Sequence, residues 1–184
     1  MLSVSIAGSS AFGETGFRFF ERNRATIIPL ILMPDITISH PTPEQLPSLI
    51  RLLMEARIGV DKEWSAEVII QANQNERLLG CCALDFVGRM AVLHGLAVDK
   101  TVRRMGIGKK LVKYCVALAR KRQAESVVTF TMFWNVNFFR KCGFHTTSRK
   151  LLPPALKDNV LVFHPALRRA TPMMRQINRR TGQV

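Results

Sequence analysis

Leu96-Ala97-Val98-Asp99-Lys100-Thr101-Val102-Arg103-Arg104-Met105-Gly106-Ile107-Gly108-Lys109-Lys110-Leu111-Val112 leads from an apolar strand end, through a short basic turn with two glycines one residue apart, into an amphipathic helix. Gly106 and Gly108 allow backbone conformations that a Cβ forbids, and allow a ligand to approach closely. The first amides of the helix lack intrahelical acceptors and point into the loop. Their partial positive charge favours an anion. Arg103, Arg104, Lys109 and Lys110 surround the same point, with Met105 and Ile107 between them. This chemistry suits a pyrophosphate.

The flanking segments place that turn in an α/β frame. Met90 to Val98 is apolar on both faces, as a strand buried centrally in a sheet would be. A helix from about Ile107 to Arg122 and a strand from Ser126 to Met132 follow, which implies a parallel, right-handed crossover. Upstream, Glu67–Ala72 and Arg77–Val87 read as a hairpin closed by Asn73-Gln74-Asn75-Glu76, with Gly88-Arg89 as the next turn. Ile36-Thr37-Ile38 alternates like a short first strand. Thr42 before Pro43 signals a helix start, and Leu46, Leu49, Ile50, Leu53 and Met54 share one helical face. Residues 55–65 form a charged connection in which Trp64 reads as a core anchor or lid residue. Downstream, Asn135 reads as the cap of a short helix through Lys141 that is expected to end at Gly143. Phe144–Lys150 and Asn159–Phe163 read as closing strands joined through Leu152-Pro153-Pro154.

A chain of 184 residues, 47% hydrophobic, suits one domain with a real core. Three regions are expected: an N-terminal extension over 1–34, a domain over 35–164 and a basic C-terminal tail over 165–184. The net charge of +14 points to anionic partners. Residues 1–35 contribute nothing to it, since Arg18, Arg22 and Arg24 balance Glu14, Glu21 and Asp35. The extension reads as a leader foreign to the native protein, as an added strand or arm, or as an organelle targeting peptide, against which Glu14 and Glu21 argue. No apolar run approaches the roughly 20 residues that span a bilayer. Cys81, Cys82, Cys115 and Cys142 show no Cys-x-x-Cys spacing, so no metal site is expected. Dispersed thiols and the lack of a secretory signal point to the cytoplasm.

Arg103-x-x-Gly106-x-Gly108 after Leu-Ala-Val-Asp resembles the acyl-CoA-binding signature of the GNAT acetyltransferase superfamily. Asn135-Val136-Asn137-Phe138-Phe139-Arg140-Lys141-Cys142-Gly143-Phe144 resembles that superfamily's later FYxxxGF element. The blocks stand in the right order and spacing, and the resemblance covers roughly residues 35–152. It implies a mixed, mostly antiparallel central sheet, splayed between two parallel strands and flanked by helices. It also implies acetyl-CoA as acyl donor, with transfer to a primary amine of a small molecule or amino acid by direct attack. The backbone of Leu96, Ala97 and Val98 would meet the pantetheine arm. Arg103, Arg104, Met105, Gly106, Ile107, Gly108 and Lys109 would hold the pyrophosphate, and Asn135 and Phe139 would add contacts from the second block.

Two family features are missing. Relatives often carry a glutamate base on the strand before Leu-Ala-Val, but Met90-Ala91-Val92-Leu93-His94-Gly95 has no carboxylate. His94 is the titratable residue there and the candidate base, with a buried structural histidine as the alternative. Relatives also place a tyrosine proton donor where Phe139 stands. The Phe-Phe pair, with Leu-Pro further on, resembles the branch that acetylates the α-amine of glutamate or similar amino acids. The alternative function is a non-catalytic CoA-binding or nucleic-acid-associated module. It accounts for both losses and the basic charge, although no helix-turn-helix, RNA-recognition or zinc pattern is visible. A homodimer is a further partner class left open.

Overall fold

Strands β3 (Arg77–Val87) and β4 (Met90–Val98) form the long hairpin on which the fold is built. The computed structural model describes residues 35–58, 66–152, 156 and 168–177. Expectations for residues 1–34, Trp64, Asn159–Phe163 and residues 178–184 fall outside that set. The other strands are β1 (Thr37–Ser39), β2 (Val68–Gln74), β5 (Ser126–Thr131), β6 (His145–Thr146) and β7 (Thr171–Gln176). They make one seven-stranded sheet in the order β1-β2-β3-β4-β5-β7-β6. Every neighbouring pair is antiparallel except β4 with β5.

Local chemistry sets these elements much as the sequence suggests. The first hairpin turn tightens to Asn75 and Glu76, both at positive φ, between the paired residues Gln74 and Arg77. Two successive positive-φ residues give the twist that joins antiparallel strands without splaying them. Gly88 and Arg89 make the second turn, as expected, between Val87 and Met90. Helix α1 (Leu46–Glu55) is entered through a 3-10 turn whose Gln45 side chain accepts from the Thr42 amide at 2.9 Å. Its buried face is Leu49, Leu52 and Leu53, whereas Met54 is exposed. The expected stripe is therefore rotated by part of a turn.

Helices cover both sides of the sheet. Helix α2 (Ile107–Lys121) lays Ile107, Leu111, Val112, Cys115, Val116 and Ala119 on one face, against Leu84, Ala91, Leu93 and Val127. Helix α3 (Val136–Lys141) contributes Phe139 to the same cluster. On the opposite face α1 packs on Cys81 and Ala97, while Leu152 and Leu156 pack on Met90, Val92 and Val128. Each fully buried leucine contributes roughly 1.5–3 kcal/mol relative to an exposed one.

The carboxyl-terminal part departs from expectation in two places. Strand β6 covers only His145–Thr146 of the expected Phe144–Lys150. Beyond it, Ser148 starts a 3-10 turn over Arg149–Leu151 by accepting from the Lys150 amide. Within the expected basic tail, Thr171–Gln176 is β7, seated between β5 and β6 with Met173 fully buried. Burial of that methionine and pairing on both edges decide the structure there, in spite of the surrounding arginines.

Candidate active site

Strands β4 and β5 run parallel but part company. Their ladder covers Met90 to Leu93 against Ser126 to Thr129, and stops. Beyond it β5 continues to Thr131 along β7, while β4 continues to Val98 along β3. Among the described residues, no strand lies along the β5-facing edge of Gly95–Val98. Ligands of open α/β sheets bind outside the carboxyl ends of strands, where neighbours diverge.

A bulge in β4 coincides with the split. Its register against β3 passes from Ala83↔His94 to Cys81↔Ala97, so β4 carries one extra residue. Gly95, at φ 60°, absorbs it. The alternation of side chains changes phase there: Ala91 and Leu93 pack toward α2, and so do Leu96 and Val98, while Ala97 packs toward α1. Bulges re-aim backbone and side chains beside functional sites. The signal in the sequence was a glycine inside an otherwise apolar strand.

The loop after β4 is built on Asp99. Its Oδ1 accepts from the Thr101 amide and hydroxyl at 2.8 Å each, and Oδ2 accepts from Arg77 at 3.0 Å. Those hydrogen bonds, with Thr101's first, hold the carboxyl down at about 2. The chain then passes through Arg104, at φ 66°, and Gly106, at φ 85°, into α2. Gly106 is the residue before the first turn, and its carbonyl accepts the first helical bond, from Lys110. The amides of Ile107, Gly108 and Lys109 therefore precede the helical ladder.

The two glycines have different reasons. A Cβ on Gly106 would meet nothing within 4 Å, so that position is set by its left-handed backbone. A Cβ on Gly108 would lie 3.3 Å from Phe138 Cζ and 3.6 Å from Val98, so that position is set by close packing of α3. Arg103, Arg104, Met105, Lys109 and Lys110 are exposed around the loop, and Ile107 is core. Arg103 Nε donates to the Val98 carbonyl at 3.1 Å, which ties the loop to the end of β4. Lysines in a first helical turn oppose the helix dipole. Lys109 and Lys110 accept that cost where an anion would repay it, and the residues present fit a pyrophosphate.

The second block lies across the split. A 3-10 turn over Phe133–Asn135 leads into α3, and Phe133 and Trp134 are 78% and 62% exposed at the end of β5. This exposed aromatic pair at the mouth was not singled out from sequence; its signal was two aromatics directly after a strand. Asn135 is exposed, and its side chain makes no cap bond to α3. Phe139 is 5% exposed, with its ring edge-on to Phe138 and Phe144. It is a core residue, and Phe138 is the aromatic that reaches the glycine loop. Tyr114 packs against the α2 core cluster and Cys142 is buried.

His94 stands at the vertex, one residue past the last β4–β5 pair. Its Nε2 lies 3.0 Å from Asp85 Oδ2. His94 and Asp85 are partly buried, at 17% and 21% side-chain exposure. Asp85 was not singled out from sequence; it is opposite Val92 in the regular register set by the Gly88-Arg89 turn, diagonal to His94 and before the bulge.

The architecture is that of an α/β protein in which two parallel strands diverge beside a helix start ringed by cations. The chain belongs to the acetyltransferase (GNAT) family, whose sequence pattern matches residues 38–144. An uncharacterised N-acetyltransferase of Chlorobaculum tepidum is 29% identical over 103 residues, which is 52% of this chain and 65% of that protein. N-acetylglutamate synthase of Neisseria gonorrhoeae, solved with coenzyme A and N-acetyl-glutamate, superposes with a TM-score of 0.66 at 19% identity, over 79% of this chain and 36% of that one. A GNAT-family acetyltransferase of Staphylococcus aureus gives 0.65 at 20% identity, over 78% of this chain and all of that one. This chain thus spans only part of the first two proteins. The mixed sheet with one parallel pair, flanked by helices, is the expected fold. No helix among the described residues is long and apolar enough to cross a membrane.

Proposed function

We propose that the protein transfers an acetyl group from acetyl-CoA to a primary amine of a small molecule or amino acid. The observation that carries this is the open β4 edge ending at a cationic helix start. The pantetheine arm would run along the backbone of Leu96, Ala97 and Val98. The pyrophosphate would sit on the amides of Ile107, Gly108 and Lys109 beyond Gly106, flanked by Met105, with Arg103, Arg104 and Lys109 supplying charge. Asn135 and Phe138 border the slot, and Phe139 supports it from the core.

An amine attacks only as the free base. His94 sits at the vertex, about 13 Å up the strand from Val98 at roughly 3.3 Å per residue, and takes the proton as the N–C bond forms. The C–S bond then breaks and the thiolate leaves with its electron pair. Backbone amides at the bulge are suited to the oxyanion. No tyrosine donor stands at Phe139, so the thiolate is protonated from solvent. Coenzyme A and N-acetyl-glutamate in the gonococcal enzyme support an amino-acid acceptor.

Calorimetry with CoA tests the donor site. Arg104→Glu/Lys109→Glu is expected to weaken binding at least tenfold, with Lys121→Glu at the far end of α2 as the neutral control. Equal affinities, or no binding by the wild type, reject the site. Mass spectrometry of products from an amine and amino-acid panel identifies the acceptor.

A further inference from the structure

Between Asp99 and Glu125 the chain carries nine lysines and arginines and no acid. The acids that bound this stretch are engaged elsewhere, Asp99 by Arg77 and Glu125 by Arg89. Of the nine cations, Arg122 is paired with Glu67. Among the described residues, no carboxylate pairs with Lys109, Lys110, Lys113, Arg120 or Lys121.

Those five share one side of α2. At 3.6 residues per turn they fall within an arc of about 120°, opposite the buried arc of Leu111, Cys115 and Ala119. All five are exposed, and the helix's remaining exposed residue is Ala117. From Lys109 to Lys121 the rail runs about 18 Å. Lys109 and Lys113, four residues apart, repel each other. A face that serves solubility mixes both signs, whereas a stripe of one sign along a helix is the footprint of a polyanion.

The coenzyme does not account for the whole rail. Coenzyme A brings about four negative charges, roughly half of them on its pyrophosphate. Arg103, Arg104, Lys109 and Lys110 match that number at the loop. Lys113, Arg120 and Lys121 remain along α2, and Arg140 and Lys141 are exposed at the end of α3. A membrane-surface helix sets large apolar side chains beside its cations, and this arc offers only Ala117. Exposed aromatics do stand near the loop end of the rail. Phe138 is the neighbour that a Cβ on Gly108 would meet, and Trp134, 62% exposed, is one helical turn before it. A cationic track bordered by exposed rings suits a single strand, whose phosphates follow the track while a base stacks.

From this arrangement we infer that the outer face of α2 binds single-stranded nucleic acid, with Lys113, Arg120 and Lys121 on phosphates and Trp134 under a base. This function goes beyond acetyl transfer and does not depend on it.

Fluorescence anisotropy tests it, with the full chain saturated with CoA and a labelled oligothymidylate of about 15 nucleotides. With about five phosphate contacts, log K is expected to fall with log salt at a slope near −3.5. Lys113→Glu/Arg120→Glu/Lys121→Glu should weaken binding roughly tenfold or more and flatten the slope by about 2, while the affinity for CoA stays within about twofold. Trp134→Ala should weaken binding roughly five- to hundredfold with the slope unchanged. No binding by the wild type, displacement of the strand by CoA, or unaltered binding by either variant overturns the proposal. So does equal or tighter binding of a duplex of the same length, of phosphatidylglycerol vesicles or of polyglutamate. If the charge reversal does not fold, Lys113→Gln/Arg120→Gln/Lys121→Gln and the wild-type slope decide. A protein that binds no CoA fails the transferase reading, while the oligonucleotide titration still decides this one.

Discussion

Arg175 Nη1 on β7 donates to the Cys142 carbonyl at the end of α3, at 2.6 Å. Around that point the helix closes with Phe144 N–H on the Phe139 carbonyl and Gly143 N–H on the Arg140 carbonyl. A cation on the last carbonyls of a helix is favoured by the dipole as well as by the bond. Arg175→Ala is expected to cost about 1.5–3 kcal/mol, a fall of several degrees in Tm for a chain of this size. Arg175→Lys should recover part of it. Thermal melts of the three proteins check this, and equal midpoints would contradict it.

The two loop glycines should fail differently. Gly106→Ala places a Cβ at φ 85°, a strain of about 1–2 kcal/mol, and Gly106→Asn should cost less because asparagine tolerates that region. Gly108→Ala instead presses on Phe138. Phe138→Leu should therefore relieve Gly108→Ala and leave Gly106→Ala unrelieved. Urea denaturation of the single and double variants measures the coupling, and equal coupling in both cycles would refute the distinction.

Asp99 gives the loop a pH dependence with a definite sign. Its carboxyl is lowered to about 2 by Thr101 and Arg77, from roughly 3.9 in an unfolded chain. A depressed acid stabilises fully above the unfolded value, and that contribution is lost as pH falls from about 4 to about 2. The Asp99–Arg77 pair is at the surface, where ion pairs are worth little. Asp99→Asn should lower Tm by about 1–3 °C at neutral pH, and the gap to wild type should narrow below pH 4. A gap that widens on acidification would disprove the assignment.

Burial accounts for the cysteines. Cys82 and Cys115 Sγ atoms are 3.2 Å apart in the core under α2. Burial pushes the Cys81 thiol up to about 12, and Cys82 also lies well above its ordinary range. Burial raises Cys142 too, against the pull of Lys109 and Arg175. The thiolate is the reactive species, so none of the four thiols should react rapidly with an aromatic disulfide reagent in the native state. A fast burst of even one equivalent would show that the core opens.

Much of the fold was legible because local chemistry and burial agree. The strand, basic turn, glycines and helix from Leu96 to Val112 read correctly from residue type alone, as did the β3–β4 turn at Gly88-Arg89. Features that depend on register were not legible. The bulge at Gly95 needs both strands to be seen, whereas the contact of Asp85 with His94 follows from the regular register of the Gly88-Arg89 hairpin and was overlooked. Phe139 sits where a family tyrosine would, yet sequence position does not say that its ring faces Phe144 in the core. Strand β7 was hidden by its own composition, because Pro172 and neighbouring arginines argue against an interior strand. The proline is accommodated: its carbonyl accepts from Thr147, and a proline lacks only the donor.

That last strand yields the sharpest test of the architecture. A mobile tail can be removed without cost, but β7 pairs six residues with β5 and also carries β6. Its Met173 is fully buried in the cluster shared with α2 and α3. Ending the chain after Ala170 would expose the whole edge of β5, including the backbone beside Val127 and Val128, to solvent or to another chain. The truncated protein is expected to lose cooperative unfolding and to aggregate. Met173→Ala, which keeps the strand but empties its core position, should cost about 2–5 kcal/mol. Calorimetry distinguishes the cases: a truncated chain that melts cooperatively at the wild-type temperature would return residues 171–176 to the status of a tail.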